Sequence, residues 1–568
     1  MTKPYYLFIL VATMYIDTST THLNGKTYAR YLLRESYRED GKVKHRTIAN
    51  LSACSPEEIS AMKLALSHKH NIKNLSEQLS TRKLSIQSKQ GLSVGGVWLL
   101  KSLAKEIGLE KILGETREGK LALWQIIARA IDQGSRLSSV RLAASHAACD
   151  TLNLAAFDED DLYKNVEWLC ENQKQIEEML YRLLPEEEMK LLLYDVTSSY
   201  FEGTCNELSA YGYNRDGKRG KEQIVIGLLC NSEGTPITVQ VFEGNTQDPK
   251  TLTEQLRETA KRFELKNVIW VGDRGMIKKS QIEQITEAGF HYITAITKPQ
   301  IKTLCKNEVI QMDLFDNEIT EVTDTEENIR YILRRNPVRE AEIKASRESK
   351  WAKLQKLVNE KNAYLKEHKK AKTETALEVV KQKAAKLKAS SWSIIEAGDR
   401  SIQLRRDEEA IKKEVELDGC YVIKSDVAEC EMTKEMLHRS YKELAMVEQA
   451  FRTSKTAHLE LRPIYVRNAE RTRGHVFVVM LAYRLIKELK KRWENLEITV
   501  EEGLASLSTL TSIEVIINKG APINQIPIPN EMNQELLKAA KVKLPRVLAS
   551  KGEIVATRKK LVSERKIQ

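Results

Sequence analysis

Three acidic side chains, far apart in the chain, stand where a carboxylate needs explaining: Asp195, Asp273 and Glu448. Asp195 closes the apolar run in "MKLLLYD" and Asp273 the one in "NVIWVGD", so each is expected at the end of a strand buried on both faces. A carboxylate there costs free energy unless a cation or a hydrogen-bond donor answers it. A capping or strand-ending Asp explains either residue taken singly. Together they suit hard divalent cations, which are held by a few carboxylate oxygens and keep positions open for phosphate and water. An aspartyl-nucleophile phosphatase also ends an apolar strand in Asp, but its chemistry needs a second Asp two residues on, where "DVTSS" has Thr197. Glu448 lies in "YKELAMVEQAFRTSK". As a helix, this stretch puts Tyr441, Glu448, Arg452 and Lys455 on one face, which by itself reads equally as a solvated surface.

Other polar residues have a structural reading beside the functional one. Arg215, Asp216 and Gln223 lie just before an expected strand and serve either the turn "YNRDGKRG" or a site. Asp248 precedes Pro249 and reads as a helix N-cap. Arg274 follows Asp273 and either touches phosphate or pairs with its neighbour. His475, near the start of an apolar helix, reads as a core histidine.

The elements that must position these groups follow from periodicity. The start of the chain, "YYLFILVATMYI", is too short and too polar in its sequel to span a bilayer, and reads as a buried strand. "KTYARYLLRESYREDGKVKHRTIANL" alternates on both sides of a turn and predicts a β-hairpin. From about residue 56 to 190 the period is helical. Then come three strands, a helix, a strand, a helix and a strand: "MKLLLYDVTSSYFEG", the hairpin "QIVIGLLCNSEGTPITVQVFEGN", a helix from Pro249 to Phe263, "NVIWVGDRG", "KSQIEQITEAG" and "HYITAIT". A charged stretch over 339–391, without Gly or Pro, predicts a solvated helical hairpin or coiled coil acting as a spacer. The strand "DGCYVIKSDV", the Glu448 helix and the long apolar helix "RGHVFVVMLAYRLIKELKKRW" follow. From Lys538 onward ten Lys or Arg face two Glu, which predicts a flexible basic arm.

At 568 residues, the chain has room for roughly three or four structural units. Its 42% hydrophobic and 30% charged residues exclude disorder as the general state. A net charge of +11 favours a polyanionic partner. Eight dispersed cysteines, with no C-x-x-C pair and no zinc spacing, read as reduced thiols of a cytoplasmic protein.

Seven ordered blocks carry a resemblance: "LLLYDVTSSYFEG", "GYNRDGKRGKEQIVIGLL", "FEGNTQDPKTL", "VGDRGM", "DGCYVIKSD", "YKELAMVEQAFRTSK" and "LRPIYVRNAERTRGHVFVVMLAY". Together they resemble the insertion-sequence DDE transposases, in the branch whose ribonuclease-H-like core is interrupted before the catalytic Glu. "ESYREDGKVKHRTIANL" and "LALWQIIARAIDQGSRLSS" resemble the N-terminal part of that family, so the likeness covers most of the chain. It implies an α/β fold, mixed α+β overall: a ribonuclease-H-like mixed sheet flanked by helices, a mainly helical N-terminal region and an inserted domain. The implied divisions are a β-rich 1–55, a helical 56–190 for binding DNA ends, core parts 191–297 and 418–500, the insertion 298–417, and a C-terminal 501–568 with the basic tail.

The resemblance makes Asp195, Asp273 and Glu448 the catalytic acids and ligands of two Mg²⁺ (or Mn²⁺) ions. The reaction it implies is in-line displacement at phosphorus with no covalent protein nucleophile. Double-stranded DNA is the implied partner, both the element's terminal inverted repeats and the target, with a homodimer in the DNA complex. Tyr441, Arg452, Lys455, Arg274 and Arg215 are the implied phosphate contacts. The family motif Y-x2-R-x3-E-x6-K is met by Tyr441, Glu448 and Lys455, but Leu444 stands in the Arg position, and Arg452 on the same face is the substitute cation. The rival readings are a DNA-binding relative that no longer cuts, and a basic helical scaffold. The first is opposed by intact acids, and the second leaves the ordered blocks unexplained.

Overall fold

The computed structural model describes residues 13–23, 26–39, 42–67, 86–203, 205–456, 459–461, 464–517, 523–549 and 552–557. Of the expected buried strand "YYLFILVATMYI" (residues 5–16), 5–12 lie outside the described residues; 13–16 are a strand, but not a buried one, since Met14 is exposed and Tyr15 and Ile16 are half-buried. The chain divides into two compact units, one of residues 1–89 with 515–522, the other of 90–514 with 523–568.

In the first unit, β1 (Thr13–Leu23), β2 (Lys26–Glu39) and β3 (Lys42–Asn50) form an antiparallel sheet, and the alternation that predicted a hairpin becomes β2–β3. Opposite charges face each other across the strands, as in Arg34–Asp17 and Arg46–Glu35. Helix α1 (Pro56–Ser67) starts with a reciprocal cap. The Glu58 amide donates to Ser55 Oγ, the Ser55 amide donates to Glu58 Oε2, and Pro56 takes the first turn, where no donor is needed.

The second unit is entered within β4 (Ile86–Ser93). Helices α2 (Gly95–Glu106), α3 (Leu109–Leu113), α4 (Arg117–Ile131), α5 (Arg136–Ser145), α6 (Ala148–Leu152) and α7 (Glu159–Tyr181) follow. Asp158 and Asp161 form a capping box that starts α7. Nearly every residue of α4 is buried, so it is the centre of this bundle rather than a surface helix.

The main sheet comprises β5 (Leu191–Tyr200), β6 (Gln223–Cys230), β7 (Pro236–Glu243), β8 (Ile269–Val271), β9 (His291–Ala295), β10 (Thr320–Asp324), β11 (Ile329–Arg335) and β14 (Cys420–Ser425). Their order is β10-β11-β14-β9-β8-β5-β6-β7. β5, β8 and β9 are parallel, and the other pairings are antiparallel. The β6–β7 hairpin turns at Gly234, whose φ of +71° suits glycine. Helices α8 (Asp248–Phe263) and α9 (Lys279–Glu287) follow β7 and β8.

Side-chain parity along β5 decides what each face meets. Leu192, Tyr194 and Val196 join a core with Trp270 and with Leu252 and Leu256 of α8. Leu191 and Leu193 join the opposite core, with Val271, Ile293 and residues Leu444, Val447 and Phe451 of α14 (Lys434–Lys455). Asp195 continues that second series, so it belongs to the α14 face. Helix α15 (Ala469–Arg492) is buried along most of its length and packs on α7 so closely that a Cβ on Gly474 would meet the Val166 carbonyl oxygen at 2.2 Å.

After β9, α10 (Lys298–Lys306) leads to β10 and β11, which extend the core sheet through β14. Between β11 and β14 stand α11 (Pro337–Glu367), α12 (Thr373–Lys386), the hairpin β12 (Ser393–Gly398) and β13 (Ser401–Arg406), and α13 (Glu408–Val415). The expected helical hairpin is α11–α12. It is not wholly solvated, since Leu354, Ala384, Ala389 and Trp392 make a small core of their own, as do Val358, Leu365, Val380 and Ile402. Asp418 ties its base to α11 through Arg347 at 2.6 Å.

The C-terminal part contains α16 (Val500–Ser508), β15 (Thr511–Ile517), β16 (Ile523–Gln525), α17 (Glu531–Ala539) and β17 (Val547–Leu548). The expectation of a flexible arm from Lys538 onward fails for the described part. Ala540, Leu548 and Val555 are buried, the Trp98 indole donates to the Lys543 carbonyl, and Glu553 accepts from the Ala156 amide. Apolar residues interleaved among the lysines supply the burial that charge counting overlooks. Residues 558–568 lie outside the described residues. No helix among the described residues is long and apolar enough to cross a membrane.

Candidate active site

Asp195 is the fifth residue of the ten-residue β5, not its end, opposite Leu228 of β6. The strand continues because Thr197, Ser198 and Ser199 are buried despite being polar. The Asp195 side chain keeps some solvent contact but is densely surrounded, and this desolvation, with the charges of Asp273 and Glu448, pushes its pKa up to about 7. The Val196 amide and Arg215 act in the opposite direction.

Asp273 sits two residues past the end of β8, in the turn that follows, rather than on the strand. Its Oδ1 accepts from the amides of Gly275 and Met276, so one oxygen organises the turn and the other is not used by it. Glu448 is exposed on α14, one residue after the buried Val447. Tyr441, two turns earlier, is half-buried, and burial together with the charges of Asp273 and Glu448 raises its hydroxyl to about 12, so it stays a neutral donor. The structure thus brings Asp195, Asp273, Glu448 and Tyr441 into one electrostatic neighbourhood.

The basic residues divide into engaged and exposed. Arg215 donates to Asp248 at 2.5 Å, lies over the Tyr213 ring, and gives its backbone amide to Ser198 Oγ. Asp248 is therefore an ion-pair partner and the first residue of α8; Gln247, not Asp248, occupies the N-cap position. Lys455, at the last turn of α14, is buried against Asp216 at 2.9 Å, and Asp216 also accepts from the Tyr200 amide. Arg274 and Arg452 are exposed and make no ion pair among the described residues. Leu444, where the motif has Arg, is 7% exposed and packs in the core shared by β5 and α14, a place that favours a hydrocarbon over a guanidinium. Gln223 opens β6, and its amide donates to the carbonyls of Tyr213 and Gly244, a loop-holding role. His475 is a core histidine, bonded to Arg136 and near the Leu461 carbonyl.

The Asp216–Lys455 pair joins residues 239 positions apart, and sequence reasoning did not couple them. The one available signal is a lysine at a position that faces the core side of an amphipathic helix.

The donor set suits a hard divalent cation in type: Asp273 and Glu448 add to the cost of the Asp195 carboxylate, which the Val196 amide and Arg215 offset only in part. It is not a finished cage, since among the described residues no three His, Cys, Asp or Glu side chains are disposed to hold a metal ion.

A mixed sheet with three parallel central strands, an antiparallel hairpin on one side and carboxylates gathered from β5, the turn after β8 and a later helix is a ribonuclease-H-like arrangement. The family comparison is specific. The model described as "Transposase DDE domain" matches residues 186–485, and that described as "IS1634 family transposase, N-terminal domain" matches residues 16–78. The chain belongs to the insertion-sequence DDE transposases. No curated protein matches it. Among solved structures it is similar to a piggyBac transposase in a synaptic complex with hairpin DNA, at 8% identity and a TM-score of 0.32, over 74% of this chain and 70% of that one.

Proposed function

We propose that this transposase binds the terminal inverted repeats of its element as a homodimer and uses Asp195, Asp273 and Glu448 for both strand cleavage and strand transfer. The carrying observation is the Asp195 carboxyl, raised to about 7 by burial and by the two other acids. Such a group is costly in the free protein and suited to a site completed by cations. Two Mg²⁺ or Mn²⁺ ions, held by the three acids, would supply a polarised water or DNA 3′-hydroxyl and neutralise the leaving oxygen.

The chain's own residues do the rest. β5 and the turn after β8 fix the two aspartates, while Glu448 approaches from α14, whose buried stripe anchors it. The neutral Tyr441 hydroxyl is a donor available to a phosphate beside the acids. Exposed Arg274 and Arg452 position phosphates near the cut end, Arg215 acts from its pair with Asp248, and Lys455 holds the end of α14 through Asp216. Two element ends need two sets of acids, which supports the dimer. Eight cysteines with no disulfide among the described residues support a reducing, cytoplasmic setting.

The test is metal-dependent cleavage of duplex DNA carrying the element's ends. Asp195→Ala and Glu448→Ala should each lose at least roughly 10³-fold in rate while still binding the DNA. Cutting at the parental rate by either variant would refute the assignment.

A further inference from the structure

A cavity of about 440 Å³ outside the three-acid site opens between α4, α5 and α7 on one side and residues 460–461 and 464–468 on the other. It is lined by Arg129 and Arg136, which are 4% and 6% exposed. Neither makes an ion pair with a carboxylate among the described residues. Arg129 gives Nη1 to the carbonyls of Gln133 and Leu459, and its buried Nε has no partner among the described residues. Among the described residues Arg136 makes one hydrogen bond, from Nη2 to Nδ1 of His475.

His475 brings no negative charge. Burial and the two guanidiniums hold it well below its ordinary pKa, so it is neutral, with Nδ1 accepting and Nε2–H facing the Leu461 carbonyl at 3.4 Å. Asp132 and Glu460 act on Arg129 only from a distance, and both arginines are pushed down, to about 10 and about 9, chiefly by burial. Two desolvated cations without a counter-ion are expensive unless a ligand answers them. Ser135, the N-cap of α5, lines the same cavity with Arg136, so the positive end of that helix borders it. Exposed Arg467 stands at the mouth, and Tyr163 and Tyr465 line space beyond what one phosphate needs.

We propose that this cavity is a non-catalytic anion site, in which Arg129 and Arg136 grip one phosphate group of a DNA strand and the tyrosine-lined remainder receives the adjoining nucleotide. The phosphate chemistry stands on the cavity alone; DNA as its source rests on the transposase reading.

The test uses the full chain. Thermal unfolding is compared in sodium phosphate and in sodium chloride at equal ionic strength, and binding of a duplex carrying the element's ends is followed against salt. Phosphate should raise the parent's Tm above the chloride value and leave Arg136→Met unmoved. Arg136→Met should weaken duplex binding about tenfold and lower the salt slope by about one. Arg467→Glu, at an exposed position, should weaken duplex binding in the same direction and decides the matter if Arg136→Met does not fold. Phosphate acting no differently from chloride would overturn the site. Phosphate stabilisation with unaltered duplex binding in both variants would overturn DNA as the source. Absence of metal-dependent cleavage by the parent would overturn the transposase reading and leave the phosphate comparison to stand by itself.

Discussion

At the scale of single residues, Asp195 carries a cost that the free protein has to bear. Its pKa is raised to about 7 in the fold, against an ordinary Asp near 3.8. Between those values the native state holds a proton that the unfolded chain has lost, so stability falls as pH rises through that window and the full penalty is present above pH 7. Asp195→Asn removes it. At pH 8 the variant should unfold at a higher temperature than the parent, by up to about 4 kcal/mol and less to the extent that water reaches the group, and the difference should vanish below about pH 4. Added Mg²⁺ should stabilise the parent and not the variant. A variant less stable than the parent at pH 8 would show that the carboxylate is satisfied within the protein. The two aspartates stood out in the sequence because a carboxylate after an apolar run is unusual enough to notice, whereas Glu448, on a charged helix, was singled out only through them and the family resemblance. Lys455 was legible as a cation but not as a buried one, because its partner Asp216 lies in a remote loop that only the folded chain brings to it.

At the scale of elements, helix α14 is held by a stripe, Leu437, Leu444, Val447, Ala450 and Phe451, that packs on the same face of the sheet to which Leu191 and Leu193 point. Glu448 comes next to that stripe, so the orientation of the third acid is a consequence of burial. Leu444 is part of the anchor, which accounts for an apolar residue at the motif's cationic position. The order of strands and helices from β5 to β9 was readable from periodicity, since each element keeps one period over its length. Less readable was how far β5 extends, because its second half is buried serine and threonine rather than hydrocarbon. Nor could periodicity reveal that β10 and β11 join the core sheet, because strand pairing is a long-range choice. The contact of α15 with α7 is equally non-local and depends on one missing side chain. Gly474→Val should destabilise the fold by roughly 1–3 kcal/mol, since a Cβ 2.2 Å from the Val166 carbonyl forces the helices apart. Gly474→Ala should cost less, and chemical unfolding of both variants checks the order. Equal stability of parent and Gly474→Val would mean that the two helices separate freely, and the bundle would then be no rigid support for α14.

At the scale of the whole molecule, a net charge of +11 spread over 568 residues is modest, and it is the placement of cations that gives it meaning. Much of the positive charge is spent internally: Arg262 on Glu177, Arg347 on Asp418, Lys455 on Asp216 and Arg492 on Glu106 and Glu488. Arginines engaged in this way release no counterions from a phosphate backbone. Those able to do so include Arg274 and Arg452 beside the acids and Arg467 at the cavity mouth, all exposed. Duplex affinity should therefore depend on a limited set of contacts, multiplied by the number of chains on the DNA. With six or more phosphates neutralised across a dimer, affinity should fall roughly 10³-fold or more between about 50 and 200 mM salt. Replacing Arg274 and Arg452 together by Gln should flatten that dependence, whereas replacing Arg347 by Gln should leave the slope in place and lower stability instead. A slope that responds equally to internal and exposed arginines would mean that overall charge, rather than local placement, holds the DNA. The three acids proposed as catalytic would then have no defined strand to act upon, and the site-specific reading of the basic residues around them would have to be given up.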